Sequence, residues 1–179
     1  MKIDRYEKIW MWASGAMLCA FFATMAGAAI GSSIGPPSHV QTIDPQKVLS
    51  DPLFHQQGTW VDRGGRVHAT IVATAFAWLP AQLTLPAATP VTFHMTSIDV
   101  LHGFEIVRTN AQATLIPGYV SQFTTQFAPG DYMIVCNEYC GVGHHIMAAK
   151  MAAIPRSQWR PTMAAPDVPP AHENGHDSH

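Results

Sequence analysis

The chain has 179 residues, of which only 12% are charged, about half the share usual in a soluble globular protein. Its formal net charge of −2 implies no broad basic surface and argues against nucleic acid as a partner. Cys19, Cys136 and Cys140 are too few and too unevenly placed for a disulfide framework, while 14 prolines and 13 glycines suit short strands joined by turns.

The first predicted element is a membrane anchor. From Ile9 to Ile34 the run IWMWASGAMLCAFFATMAGAAIGSSI carries no charge. At about 1.5 Å per residue it is long enough to cross a hydrocarbon core of about 30 Å. Lys2, Arg5 and Lys8 precede it and the next basic residue is Lys47. The excess of positive charge on the cytoplasmic side therefore places the N-terminus in the cytoplasm and everything after Ile34 outside. Trp10 and Trp12 stand where an interfacial aromatic belt would lie. Ala26-Gly27-Ala28 could serve as a signal-peptide cleavage site. The apolar stretch is longer than a signal core, however, and carries two tryptophans, which favours the anchor. A lipoprotein signal ending at Cys19 is set aside because Leu18 stands where a small residue is needed. Both alternatives leave the remainder outside the membrane, and Cys19 reads as a small buried hydrophobe.

Residues 35–67 open with Gly35-Pro36-Pro37 and read as a linker and lead-in, with a short helix around Pro45–Leu49. From His68 the pattern turns to strands. HATIVATAFAW, PVTFHMT, GFEIV, YVSQFTTQFA, GDYMIVC and IMAAKMAAI are rich in β-branched and aromatic residues and broken by turns. Such spacing over 68–155 predicts an all-β sandwich or barrel. Tyr132, Ile134 and Cys136 alternate with Met133 and Val135, as in a strand that delivers Cys136 to a site at its end. Residues 156–179 are proline-rich, end in HENGHDSH and read as a disordered tail, with His172, His176 and His179 solvated rather than ligating.

Chemistry concentrates in Cys136-Asn-Glu-Tyr-Cys140-Gly-Val-Gly-His144-His145-Ile-Met147. Thiolate and thioether are soft donors that suit copper, whereas zinc would not take the methionine. Cys140, His144 and Met147 alone match a one-copper loop, and Cys136 is a second thiol. Two bridging thiolates would hold two copper ions, each needing an imidazole and a weak axial ligand. His144 supplies one imidazole, and the candidate for the other is His102, after the apolar strand VTFHM. The carbonyl of Glu138 could be the second weak ligand. A Cys136–Cys140 disulfide is the rival reading, weakened by the attached Gly-x-Gly-His-x-x-Met. His145 reads as a neighbour bonding the backbone, and His55, His68 and His94 show no ligand spacing.

CNEYCGVGHHIM resembles the binuclear copper (CuA) loop of subunit II of the haem–copper cytochrome c oxidases, and SIDVLHGF resembles that family's upstream histidine segment. The resemblance covers residues 1–155, weakly before 68. It implies a cupredoxin-like Greek-key barrel, and the one transmembrane helix predicted for this chain departs from the family's commonest pattern of two. It also implies two copper ions held by His102, Cys136, the carbonyl of Glu138, Cys140, His144 and Met147. Electrons would pass from cytochrome c or another small external donor to haem in subunit I, in a prokaryotic plasma membrane. A single anchor is similar to the B-type, ba-like branch. Glu138 is also similar to the A-type loop, whose side chain helps hold magnesium at the subunit interface, so magnesium stays open. Phe76-Ala77-Trp78 stands where the family places aromatics near the donor's docking face. Trp78 is expected at the surface, and Phe76 equally there or in the core.

Two other functions fit parts of the pattern. A CuA domain like that of nitrous oxide reductase would sit in a longer chain with its own catalytic domain. A membrane-tethered copper carrier would favour open, exchangeable ligands rather than a cage drawn from two distant loops.

Overall fold

The computed structural model describes residues 4–31 and 41–167. Two units result, divided after Val40. In the first, α1 (Arg5–Gly31) begins where the backbone N–H of Tyr6 donates to Asp4 Oδ1 at 2.8 Å, a side-chain cap on an otherwise orphaned donor. Its window Arg5–Ala28 has a mean hydropathy of 1.5 and no buried share, so the apolar side chains that leave water must do so in lipid or against another subunit. Cys19, expected to be buried, lies on the outside of this helix.

In the second unit two five-stranded sheets pack face to face. The first contains β1 (Gly58–Val61), β2 (Val67–Thr74), β3 (Ala77–Leu79), β5 (Val91–Ser97) and β8 (Ser121–Thr125), in the order β1-β2-β5-β8 with β3 also paired to β2. The second contains β4 (Gln82–Pro86), β6 (His102–Ile106), β7 (Gln112–Leu115), β9 (Gly130–Cys136) and β10 (Ala148–Ile154), in the order β4-β10-β9-β6-β7. Sequence-distant strands lie side by side in both sheets: β2 pairs with β5 and β10 with β4, both parallel. The chain therefore crosses between layers, giving the cupredoxin-like sandwich the sequence predicts.

Period-two alternation sorts the faces of each strand. Along β2, Val67, Ala69, Ile71 and Ala73 join Phe93, Phe104 and Ile134 in the main core. Each fully buried large side chain there contributes about 1.5–3 kcal/mol of transfer free energy.

The boundaries need two corrections. Residues 41–67 are not a bare lead-in. The expected short helix is present as a 3-10 helix, Pro45–Ser50, capped by Asp44. Val48 within it and Leu53, Phe54 and Trp60 beyond it bury themselves with Val72 on the other face of the first sheet. That face is apolar enough to need a cover, and irregular chain supplies one without any readable period. The barrel consequently begins at β1, ahead of His68. Likewise, the tail is not disordered from 156. Trp159 is 2% exposed, and its indole N–H donates to the Thr84 carbonyl at 2.8 Å. The Thr59 N–H donates to Thr162 Oγ1 at 2.8 Å. His172, His176 and His179 lie outside the described residues.

Candidate metal centre

Two loops at one end of the sandwich build the site. β6 opens with His102, which is fully buried. β9 ends at Cys136, and the loop after it carries Cys140 and a short 3-10 helix, His144–Ile146, before Met147. The loops are stitched together by backbone: Asn137 N–H donates to the Gly103 carbonyl at 3.0 Å, and Cys136 N–H to the Met147 carbonyl at 3.2 Å. Only glycine allows so close an approach, because a Cβ on residue 103 would lie 1.9 Å from Asn137 Oδ1.

The six residues expected as ligands converge. Cys136 Sγ lies 3.7 Å from Cys140 Sγ and 3.9 Å from His102 Nδ1. Cys140 Sγ lies 3.7 Å from His144 Nδ1 and 3.8 Å from Met147 Sδ. The Cys136 thiol donates to the Glu138 carbonyl at 3.1 Å. Separations of 3.7–3.9 Å are the edges of a donor tetrahedron around a metal with bonds of about 2.3 Å to sulfur. Each thiol thus has its own imidazole and its own weak donor beside it, so the donor set fits a pair of soft metal ions. Among the described residues, His102, Cys136 and Cys140 form a group of potential ligands whose donor atoms all lie within 4.8 Å of one another. Both cysteines are free thiols.

Electrostatics fit a loop made for a cation. Burial pushes the Cys140 thiol up to about 11, and the hydrogen bond and charge of Cys136 push it the same way. Two thiolates this close are costly without a metal between them.

Phe76 packs on the same loop. A Cβ on Gly143 would lie 2.4 Å from Phe76 Cδ2, and one on Gly141 2.9 Å from Cε1, while Gly141 also holds φ +133. Glycine at both positions lets the half-buried ring rest directly on the ligand loop. Trp78 is a correction: it is 1% exposed, edge-on to Phe104 with ring centroids 5.6 Å apart, and cannot be a surface contact. The run HATIVATAFAW breaks at Ala75-Phe76, so Trp78 belongs to β3 and turns into the core. His145 is exposed, and the Glu138 side chain is exposed as well.

Asp99 was not legible as a functional residue. Its Oδ1 accepts from His102 Nε2 at 2.9 Å. Burial raises its pKa, but hydrogen bonds from His102, Val100, Ala75 and Thr74 outweigh that and leave it lowered, a fixed negative charge. Its position three residues before His102 was the available signal.

A fold of this kind with a two-thiol, two-imidazole, thioether cage defines a cupredoxin-like electron-transfer domain. The family model "Cytochrome C oxidase subunit II, periplasmic domain" matches residues 72–154. A cytochrome c oxidase subunit 2 of Thermus thermophilus is 35% identical over 153 residues, covering 79% of this chain and 88% of the relative. A further subunit 2 sequence from Thermus thermophilus is 35% identical over 121 residues, covering 63% and 85%. A chain of a heme–copper terminal oxidase dimer superposes with a TM-score of 0.59 at 30% identity, covering 84% of this chain and all of that one. The chain belongs to the cytochrome c oxidase subunit II family, the subunits through which electrons enter these oxidoreductase complexes.

Proposed function

We propose that His102, Cys136, the carbonyl of Glu138, Cys140, His144 and Met147 hold two copper ions in this subunit. The two thiol sulfurs 3.7 Å apart, each flanked by its own imidazole and weak donor, carry this reading. The bound copper pair supplies one-electron transfer, with the charge change spread over two metals and two sulfurs. The protein's part is to hold the donors still. His102 is sealed at 0% exposure and Met147 at 2%, so the ligand shell is preset and water is kept from it. Such buried ligands also argue against an exchangeable copper carrier.

His144 is half-buried, with the exposed Tyr139 ring 5.8 Å away, and it gives the centre an outward imidazole edge. Electrons arrive from cytochrome c or another small donor and pass to haem in subunit I. The donor approaches over Phe76, the ring seated on Gly141 and Gly143, rather than over Trp78. The single span Arg5–Ala28 anchors the subunit in a prokaryotic plasma membrane, B-type fashion, with its N-terminus cytoplasmic and the copper domain outside. Magnesium would rest on the exposed Glu138 side chain alone, and we assign none.

Electron paramagnetic resonance on the copper-loaded chain tests the reading. Hyperfine coupling to two equivalent copper nuclei is expected, with two coppers per chain by metal analysis. One zinc per chain, or a Cys136–Cys140 disulfide that takes up no copper, overturns it. Phe76→Ala is expected to slow reduction by the donor while leaving that signal intact.

A further inference from the structure

We propose that Asp99 is a positioning residue that ties the electron-receiving ring to the buried ligand, one carboxylate oxygen serving each. The proposal rests on His102 being a copper ligand. Its own basis is the way five donors divide over the two oxygens. Oδ1 faces the ligand side, accepting from His102 Nε2 at 2.9 Å, from Val100 N–H at 2.7 Å and from Ser97 Oγ at 3.3 Å. Oδ2 faces the turn between β2 and β3, accepting from Thr74 Oγ1 at 3.1 Å and from the Ala75 N–H.

The first set fixes the imidazole. With Nε2–H committed to Asp99, the lone pair is on Nδ1, and Nδ1 is the atom that looks toward Cys136 Sγ. A carboxylate behind a ligating histidine selects the tautomer, locks the ring plane and makes the imidazole a stronger donor. The second set fixes the residue before Phe76, whose ring lies on Gly141 and Gly143. Ala75 N–H sits in a turn with no ladder partner to hold it, so losing Oδ2 frees the backbone that aims Phe76. The carboxylate therefore joins three segments that are distant in sequence: the β2–β3 turn, the loop before β6 and, through Phe76, the ligand loop after β9.

The two oxygens make the proposal separable by mutation. In Asp99→Asn one oxygen becomes an NH₂. The Oδ1 side presents two obligate donors, His102 Nε2–H and Val100 N–H, whereas the Oδ2 side presents one, since the Thr74 hydroxyl can rotate to accept. The amide nitrogen is thus expected to face the turn, keeping His102 anchored and releasing Ala75. Asp99→Ala releases both sides. Both substitutions remove the same charge, so the difference between them isolates the hydrogen bonds on the Oδ1 side, of which the one to His102 is read directly by its ring proton.

The experiment uses the full chain in detergent. In the metal-free protein, nitrogen-15 NMR is expected to show a slowly exchanging imidazole N–H on His102. This proton is kept in Asp99→Asn and in Thr74→Val and lost in Asp99→Ala. In the copper-loaded protein, Asp99→Ala is expected to lower copper affinity by about 10–100-fold with two coppers still bound at saturation. Thr74→Val is expected to slow donor oxidation with the affinity unchanged. A wild-type chain that loads two coppers but has a freely exchanging His102 proton overturns this proposal alone. So does equal protection in wild type and Asp99→Ala. A wild-type chain that takes up no copper overturns the proposed function as well. Should Asp99→Ala fail to fold, a wild-type copper affinity and donor rate in both Asp99→Asn and Thr74→Val overturns the coupling.

Discussion

In the proposed centre, Cys136 is the residue that would separate a two-metal loop from a one-metal loop. Without it, Cys140, His144 and Met147 still match a single-copper loop, and His102 still points inward from β6. Cys136→Ser is therefore expected to leave one copper or none, read as loss of the two-nucleus hyperfine pattern; retention of that pattern would show that the second sulfur does not bridge. The residues proposed as ligands could be picked out because soft donors crowd twelve residues and the remaining histidine follows an apolar strand. The place of Trp78 could not, because the turn at Ala75-Phe76 shifts the alternation, and a one-residue shift moves a side chain to the opposite face. Its corrected place changes what its removal does. At 1% exposure and packed on Phe104, Trp78→Ala is expected to cost about 3–5 kcal/mol in denaturant unfolding of the metal-free protein. A loss below about 1 kcal/mol would place the ring outside the core.

Two elements outside the metal centre carry their own consequences. On the face of the first sheet turned from the main core, His68 Nδ1 lies 3.0 Å from His94 Nε2, and Trp60 stacks on His68 at 4.1 Å. Facing the pair are Asp62, 3.4 Å from His68 Nε2, and Arg66, which bonds Asp62. Burial lowers the pKa of His94 to about 4, with the charge of His68 adding to it; burial also lowers His68, against the raising effect of Asp62. The sign follows from proton counting. Near pH 6.5 and below the unfolded chain takes up protons that the folded pair refuses, so stability falls as pH drops from about 6.5 to about 4. The His94 contribution is roughly 3 kcal/mol at about 1.36 kcal/mol per unit. Urea unfolding of the metal-free protein at both pH values is expected to show this loss, and His94→Gln to flatten it; an equal slope in the variant would put the titration elsewhere. The segment after β10 is the other element. Ending the chain at Gln158 removes Trp159, while ending it at Asp167 removes nothing described. The shorter chain is expected to lose several kcal/mol and the longer one nothing. Short apolar runs broken by turn residues made β5, β6, β9 and β10 readable. The covering segments at both ends were not, because their apolar residues sit on irregular backbone that has no period.

At the scale of the whole molecule, the anchor and the copper domain are separate solutions to separate problems. The apolar span Arg5–Ala28 lies in one unit, whereas the unit from Gln41 onward contains both apolar clusters and the six proposed ligands. Low overall charge, which the sequence displays at once, therefore has two sources: lipid-facing side chains in α1 and a two-layer β core. Since neither core cluster draws on α1, a fragment from Gln41 to His179 is expected to fold without detergent and to bind two coppers. The metal should then be worth stability, because it binds the assembled cage and not the unfolded chain. At free copper about a thousandfold above the dissociation constant, this linkage amounts to about 4 kcal/mol. For a unit of this size that corresponds to roughly 10 °C in Tm. Calorimetry before and after chelation is expected to show the drop, and Cys136→Ser to shrink it, since one bridging sulfur is gone. A fragment that folds but shows the same Tm with and without copper would mean that the six donors do not form a preset cage, and that the buried His102 and Met147 owe their placement to packing alone.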